Sequence, residues 1–256
     1  MMQWLSNAAS SLFTVYVLAG CVATLVCGLV ISPIIGSLFV DGYKDLGKKK
    51  GDFNTRIGSS IHASFTFLSA VYLLLVDQKL WEDRLFSPSR RAEQVLEISL
   101  GYFYGDYILV LLDPVMRVDK GNLAHHFVSA SGTAISLYLR QMVFYVVYRH
   151  TNELSTNVVN LFVVLHMLKR PHGKFYIVVS VTMVATFFLC RIAVIPIHWV
   201  WMYNSYMDPR MANIHISIYC WAFVVYPAFD LLNIYWFGKM LRGMFKAISK
   251  FTKPRE

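Results

Sequence analysis

Long apolar runs alternate with short polar stretches along most of the chain. The runs extend over about residues 11–40, 57–76, 94–112, 175–203 and 214–237. A membrane-spanning helix requires about 20 predominantly apolar residues. Each run is therefore long enough to cross a bilayer, and the pattern predicts a polytopic membrane protein of the all-α class.

The region from residue 123 to residue 170 admits two assignments. In the first, a long helix covers residues 124–148 and a short one follows Glu153. In the second, the chain turns near residues 139–141, so that one span covers residues 121–138 and the next covers residues 142–169. We favour the second assignment because residues 154–168 alone are short and polar for a membrane span. About seven transmembrane helices are then predicted.

Composition excludes most other classes of protein. Of the 256 residues, 56% are hydrophobic and only 15% are charged, whereas soluble domains have about 25% charged residues. Seven helices of about 20 residues leave too few residues for a second folded domain. The four cysteines lie inside apolar runs, where small buried side chains are expected instead of disulfides. We assign residues 1–42 to an N-terminal transmembrane helix, residues 43–245 to one helical membrane domain, and residues 246–256 to a basic tail.

The net charge of +9 predicts an orientation in the membrane. Lysine and arginine concentrate in residues 41–56, 169–174 and 239–256, which all flank predicted spans. With seven spans these segments lie on one side, and Lys/Arg-rich segments beside spans face the cytosol. We expect a lumenal N-terminus and a cytosolic C-terminus, with membrane lipids and not nucleic acid as partners. The sequence carries no signal for oligomerisation.

Several polar and ionisable residues interrupt the predicted spans. Each charged group inside a membrane costs about 2.5–3.5 kcal/mol on insertion scales, so such groups tend to face a cavity or an oppositely charged partner. We take them as the candidate site: Asp106, His125, His126, Asn152, Glu153, Ser155, Arg191, His198 and Asp230.

The favoured assignment places two parts of this site at one depth. His125 and Glu153 each lie about 14 residues from the turn near residue 140, which is about 21 Å along a helix. Glu153 is therefore expected to orient one imidazole of the pair His125 and His126. Neighbouring side chains point about 100° apart on a helix, so at most one of the two faces a given partner squarely. A structural pairing of Asp106 with Arg191 is a further possibility.

Other interpretations compete with a catalytic one. The histidine pair would also suit the membrane interface, with hydrogen bonds to the backbone or to headgroups. Loops typical of nucleotide-phosphate binding, zinc-protease helices and the serine-hydrolase elbow are absent from the sequence. Eight scattered histidines with one adjacent pair do not make a di-iron ligand set. We therefore expect no metal and no permanently bound cofactor.

Five short segments carry a resemblance to a known family. They are NTRIGSSIHA at residues 54–63, GYFYGDY at 101–107, NLAHHF at 122–127, NELST at 152–156 and LNIYWF at 232–237. Together they resemble the TLC domain, whose family includes ceramide synthases and translocating-chain-associating membrane proteins. The resemblance covers about residues 45–245, which makes residues 43–245 the TLC domain of our assignment.

The resemblance implies a barrel of six helices that follows one extra N-terminal helix. It also implies an endoplasmic-reticulum membrane and a role in lipid metabolism or lipid homeostasis. In ceramide synthases, paired histidines and downstream aspartates line the site of acyl transfer from acyl-CoA to a sphingoid amine. His125 and His126 match the pair, and Glu153 occupies roughly the place of one aspartate. The second aspartate has no clear match.

Three functions remain open from the sequence. The first is a lipid acyltransferase, in which one of the paired histidines is a general base or a nucleophile and acyl-CoA is a co-substrate. The second is a non-enzymatic protein that binds, senses or transports lipids with the same barrel. The third is a small-ion transporter, with Asp106, Glu153 and Asp230 on a proton path.

Overall fold

Seven long helical runs make up most of the chain in the computed structural model, which describes residues 14–252 apart from 88, 119 and 171–172. No strand occurs within those residues. The runs are α1 (Val15–Phe39), α2 (Lys44–Val76), α3 (Arg90–Leu112), α4 (Lys120–Leu139), α5 (residues 143–167), α6 (Lys174–Tyr206) and α7 (residues 216–252). The all-α class is therefore confirmed.

Shorter segments subdivide and connect these runs. A short α-helix, Gln78–Glu82, follows α2, and 3-10 turns lie at Lys44–Lys49, Met116–Val118 and Pro209–Asn213. α5 consists of Val143–His150, the 3-10 turn Thr151–Glu153, and Leu154–Met167. Wider π-helical turns interrupt α1, α6 and α7 at Cys27–Ile31, Phe188–Ile192 and Trp221–Val225. Single π turns inside α-helices frequently occur at functional sites.

The turn between α4 and α5 decides between the two assignments. α4 ends at Leu139 and α5 begins at Val143. Between them Arg140 and Met142 adopt positive φ angles of 52° and 56°, which reverse the chain. The backbone N–H of Met142 donates to the carbonyl of Leu85 at 2.7 Å, which fixes the turn against the loop before α3. The predicted turn near residues 139–141 is confirmed, and the alternative helix over residues 124–148 is wrong.

Five of the seven runs are long and apolar enough to cross a membrane, by length and composition: α1, α2, α3, α6 and α7. α4 and α5 carry five of the nine candidate residues, His125, His126, Asn152, Glu153 and Ser155. α7 continues to Thr252, so the predicted tail begins as helix. The predicted boundaries that fall in residues 1–13 and 253–256 lie outside the described residues.

Six of the runs form a closed ring around a central space. Their order around the ring is α2, α3, α4, α7, α6 and α5, which returns to α2. α1 lies outside the ring and packs against α2 and α3. This is the architecture that the sequence resemblance implies, one N-terminal helix followed by a six-helix barrel.

Glycines bring α1 into backbone contact with α3. A Cβ atom on Gly101 would lie 2.1 Å from the carbonyl oxygen of Val17, and one on Gly20 would lie 2.3 Å from that of Ile98. Small residues at membrane helix interfaces permit this close approach. In lipid there is no hydrophobic driving force between helices, so the van der Waals contacts of closely packed backbones stabilise their association. The contact therefore requires glycine on both helices.

Basic side chains gather at one end of the barrel. The start of α2 packs against the end of α5 through Tyr43, Leu46 and Phe53, and the start of α6 packs against the end of α7 through Tyr176 and Ala247. We call this the basic end, and it carries Lys44, Lys48, Lys49, Lys50, Lys169, Arg170, Lys174, Lys239, Arg242 and Lys246.

The first two turns of α5 fill the opposite end of the barrel. Val143, Phe144 and Tyr145 are completely buried. The Phe144 ring contacts Trp81 and Trp201 edge-on, at centroid distances of 4.9 and 5.5 Å. A helix segment that is apolar on all sides belongs in a core. This segment closes one end, so the polar part of α5 faces a space that lies nearer the basic end.

An exposed ion-pair cluster ties the loops at this closed end. Arg210 lies 2.8 Å from Asp83 and 2.7 Å from Asp208, which joins the α6–α7 loop to the segment before α3. The side-chain and backbone hydrogen bonds from Arg210 hold the pKa of Asp208 below its ordinary value.

The glycine contact predicts the effect of one methyl group. Gly101→Ala should lower the thermal unfolding midpoint in detergent, although alanine is the better helix former by about 1 kcal/mol. The added Cβ collides with backbone, and such overpacking costs about 1–3 kcal/mol. Gly243→Ala in α7 is the matched control, because its Cβ would meet no atom within 4 Å. Equal midpoints for the two variants would contradict the contact.

Candidate functional site

A cavity of about 410 Å³ lies inside the ring and receives side chains from all six ring helices. Ligand-binding cavities in proteins commonly have volumes of about 300–1,000 Å³. Its wall combines titratable groups with aromatic rings. The arginine, histidine and glutamate residues of the wall are Arg56, His62, His125, His126, Arg149, His150, Glu153 and Arg191.

A carboxylate contacts one histidine of the pair. His126 Nδ1 of α4 lies 2.8 Å from Oδ2 of Asp106, a buried residue of α3. The hydroxyl of Tyr107 donates to the carbonyl of Leu123 at 3.0 Å and holds the two helices in register. A carboxylate at Nδ1 orients an imidazole and leaves Nε2 as the ring atom for proton transfer. His126 and Asp106 therefore form a dyad beside the cavity.

The structure differs from the sequence prediction in the partner of this histidine. Glu153 lies on the cavity wall, as do His125 and His126. Its carboxylate, however, accepts a hydrogen bond from Thr156 at 2.8 Å and lies 3.7 Å from Arg191. The suggested pairing of Asp106 with Arg191 is wrong. Asp106 points from α3 toward α4, whereas α6 lies across the ring.

Arg191 clamps α6 to α5. Its Nε donates to Ser155 Oγ at 2.9 Å and its Nη2 donates to Thr156 Oγ1 at 3.0 Å. Ser155 in turn donates to the carbonyl of Asn152 at 2.9 Å. Arg191 belongs to the π turn Phe188–Ile192, whose extra residue turns the side chain inward. The predicted residues Asn152, Ser155 and Arg191 thus lie together, with Asn152 and Arg191 on the cavity wall.

A second buried ion pair links α5 to α7. Arg149 Nη2 lies 2.7 and 3.0 Å from the two carboxylate oxygens of Asp230. Trp199 Nε1 of α6 donates to the same carboxylate at 2.9 Å. Asp230 was predicted as a cavity residue, but it stands behind the wall and acts on the cavity through Arg149. Arg149 was not among the candidate residues, although the favoured assignment places it in the span over residues 142–169.

His125, the other histidine of the pair, faces α7. Its ring stacks on Phe229 with a centroid distance of 5.1 Å and an interplanar angle of 20°, and Trp236 lies 6.1 Å away. The imidazoles of His125 and His126 are 5.6 Å apart, at an angle of 65°. The expected divergence of adjacent side chains on a helix is therefore present, and each histidine faces a different wall.

Two more histidines lie on the cavity wall. His62 of α2 stacks on the Tyr102 ring at 3.6 Å, and His150 Nδ1 donates to the carbonyl of Val146 at 2.7 Å. That donation leaves Nε2 as the acceptor in the neutral ring. His62 was not among the candidate residues, since its partner Tyr102 lies 40 positions away in the sequence. Its helical spacing from Arg56 and Ser59 was the available signal, because all three share one face of α2.

His198 differs from its predicted role. It is completely buried and lies outside the cavity wall, among the rings of Tyr145, Tyr148, Trp199 and Tyr226 at centroid distances of 5.3–6.2 Å. Its position on α6 faces the first turns of α5, which fill the closed end. The sequence position alone did not distinguish these turns from the polar part of α5.

Amides on α5 are satisfied by α2. Asn160 Nδ2 donates to Ser59 Oγ at 3.2 Å and Ser60 Oγ at 3.0 Å, and its Oδ1 accepts from Arg56 at 3.2 Å. Asn157 donates to Ser64 Oγ at 3.1 Å. Membrane interiors offer no water to polar groups, so such interhelical bonds hold the two helices together. They explain why residues 154–168 are polar within a membrane domain.

Among the described residues, no group of three His, Cys, Asp or Glu side chains is placed to hold a metal ion.

Comparison with known proteins agrees with this architecture. The family model described as the TLC domain matches residues 52–242, which include α3 to α6 and most of α2 and α7. The chain belongs to the TLC domain family. It is an integral membrane protein, and five helices within the described residues are long and apolar enough to cross a bilayer.

Relatives match nearly the whole chain. TLC domain-containing protein 4-B of Danio rerio is 28% identical over 88% of this chain and 86% of its own length. Human TLC domain-containing protein 4 is 26% identical over 84% and 82%, respectively. An uncharacterized TLC domain-containing protein of Schizosaccharomyces pombe is 25% identical over 83% and 72%. The matched share of this chain is larger than residues 52–242, so the similarity extends beyond the TLC domain.

The buried pair of Arg149 and Asp230 gives a stability prediction for this TLC domain. Asp230→Leu should lower the free energy of unfolding by about 3–5 kcal/mol, because it leaves a buried guanidinium without its carboxylate. The double variant Arg149→Met with Asp230→Leu should lose less free energy of unfolding than Asp230→Leu alone, because no unpaired charge is left buried. Arg210→Met, which removes an exposed ion pair, is the control and should change the free energy of unfolding by only about 0–1 kcal/mol. Additive losses in a double-mutant cycle, measured by unfolding in detergent, would show that the pair is not coupled.

Proposed function

We propose that this TLC-domain protein transfers an acyl chain from acyl-CoA to a hydroxyl or amine of a membrane lipid. The observation that carries the proposal is the 2.8 Å contact between His126 Nδ1 and Asp106 beside the cavity. An imidazole oriented by a buried carboxylate is the usual general base of acyl transfer. The proposal thus extends the lipid role implied by the sequence resemblance to a reaction.

The proposed reaction uses one base for two proton transfers. The oxygen or nitrogen of the acceptor lipid attacks the thioester carbonyl carbon with its lone pair. His126 Nε2 removes the proton from that hydroxyl or amine during the attack. The carbon–sulfur bond then breaks, and the proton held by His126 passes to the departing sulfur. The products are the acylated lipid and free coenzyme A, so acyl-CoA is a co-substrate and no cofactor is consumed. Asp106 keeps the imidazole in place and stabilises its protonated form.

The surroundings of the dyad support binding of both substrates. Arg191, Thr156 and Glu153 form a polar wall on α5 and α6, while Phe187 and Phe229 supply apolar surface. Lysines at the basic end would attract the phosphates of coenzyme A by long-range electrostatics. We place this end in the cytosol and the N-terminus in the lumen of the endoplasmic reticulum, following the distribution of Lys and Arg.

A second function is favoured by a different feature of the wall. Arg149 and Arg191 are each already neutralised by a carboxylate, Asp230 and Glu153, and His125 packs between aromatic rings. Such a wall suits the binding of a lipid without chemistry, for sensing or trafficking. The names of the relatives state the domain and no reaction, so the choice between the two functions depends on the role of His126.

His126→Gln separates catalysis from binding, because glutamine keeps polarity and approximate size but is not a base. In cells that lack the protein, rescue by wild type should restore an acylated lipid class, and rescue by His126→Gln should not. With radiolabelled acyl-CoA and membranes that contain the protein, incorporation should fall by about 10²–10⁴-fold. His215→Gln, in the loop between α6 and α7, is the control and should act as wild type. Full rescue by His126→Gln would refute acyl transfer and favour lipid binding.

Asp106→Asn tests the dyad itself. The amide keeps the shape of the side chain but cannot stabilise a protonated imidazole, so acyl incorporation should fall while the protein level and thermal midpoint stay near wild type. The loss should not add to that of His126→Gln in the double variant, because both residues act in one step. Additive losses would mean that Asp106 acts separately from His126.

A further inference from the structure

Helix packing is uneven around the ring. α4 and α7 bring their backbones together mainly where the first turn of α7, Ile216–Cys220, meets α4. Next to that turn the Trp221 ring covers Gly132, where a Cβ would lie 2.4 Å from the ring, and Trp221 Nε1 donates to Ser131 Oγ at 3.4 Å. Toward the basic end the two helices diverge, and side chains fill the gap between them.

Three rings close this gap. His125 of α4 stacks on Phe229 of α7 at 5.1 Å, and Trp236 lies 6.1 Å from the same imidazole. All three side chains are part of the cavity wall. Phe229 and Trp236 lie two turns apart, on one face of α7. A layer of side chains, and not a pair of closely packed helices, therefore separates the cavity from the outside here.

The outer surface beside the gap is apolar. Phe127 of α4 is 65% exposed, and Leu231 and Tyr235 of α7 are 66% and 58% exposed. α7 is long and apolar enough to cross a membrane. In a bilayer these side chains contact lipid hydrocarbon, so the molecules next to the gap are lipid chains of the leaflet nearer the basic end.

We propose that the gap between α4 and α7 is a lateral portal, through which one hydrocarbon chain of a bilayer lipid enters the cavity. The portal is formed by His125 and Ser129 on α4 and by Phe229 and Trp236 on α7. Rotation of side chains opens it, and such rotations are far faster than the separation of packed helices. The portal gives membrane lipid direct access to the cavity, independently of any reaction that takes place there.

Photolabelling of the full-length protein tests the portal. The protein is placed in nanodiscs of phosphatidylcholine that carries a diazirine midway along one acyl chain, irradiated, and mapped by mass spectrometry. Label is expected on Phe103 and Phe187, which line the cavity on α3 and α6, as well as on the outward residues Leu231 and Tyr235. Ser129→Trp adds a large ring to the α4 side of the gap. It should abolish the inner label and leave the outer label unchanged.

Two further variants complete the test. Thr182→Trp, on the exposed outer face of α6, is the matched control for an added tryptophan and should keep the inner label. Trp236→Ala removes one ring of the portal and should increase the inner label, which decides the question if Ser129→Trp does not fold. Inner label that persists with Ser129→Trp, or that is missing from both wild type and Trp236→Ala, would overturn the portal. The readout is occupancy of the cavity, so a failure of acyl transfer leaves the result intact.

Discussion

Contacts between polar and charged side chains on neighbouring helices hold the barrel together from within. His126 and Asp106 join α4 to α3, Arg191 joins α6 to Glu153 of α5, and Arg149 joins α5 to Asp230 of α7. A bilayer supplies no water to a buried charged or polar group, so each of these side chains requires a partner within the protein. The same pairs fix the rotation of each helix about its axis. They thereby determine which side chains reach the cavity.

The interface between α4 and α7 differs from the other interfaces of the ring, because near the basic end it is formed by aromatic rings. α2 and α5 are joined by the amides of Asn157 and Asn160, and α4 meets α7 through Trp221 and Ser131 near the closed end. Closer to the basic end, α4 and α7 are joined by the rings of His125 and Phe229. Stacked rings offer less resistance to displacement than a buried ion pair. The distribution of polar contacts therefore explains both the stability of the barrel and the position of its weakest wall.

Sequence patterns predicted the helices better than their faces. The turn near residues 139–141, the single outer helix and the six-helix ring follow from apolar periodicity and from the family resemblance. Depth could be counted along the chain, and this count correctly placed His125, His126 and Glu153 around one cavity. The rotation of each helix could not be counted in this way, so Glu153 was assigned to a histidine whose contact is Asp106. For the same reason His62 lines the cavity although it was not a candidate, and the candidate His198 lies in the core. The facing helix decides whether a histidine lines a cavity or a core.

The adjacent histidines serve two different walls of the same cavity. Consecutive residues on a helix point about 100° apart, and here His126 faces α3 while His125 faces α7, with their rings 5.6 Å apart. A lipid chain that enters between α4 and α7 passes the His125 ring before it reaches the dyad of His126 and Asp106. The two imidazoles are thus neither duplicates nor a shared ligand set. His125 borders the path from the membrane, and His126 lies where a proton can be exchanged. A lipid chain therefore meets His125 first and His126 second.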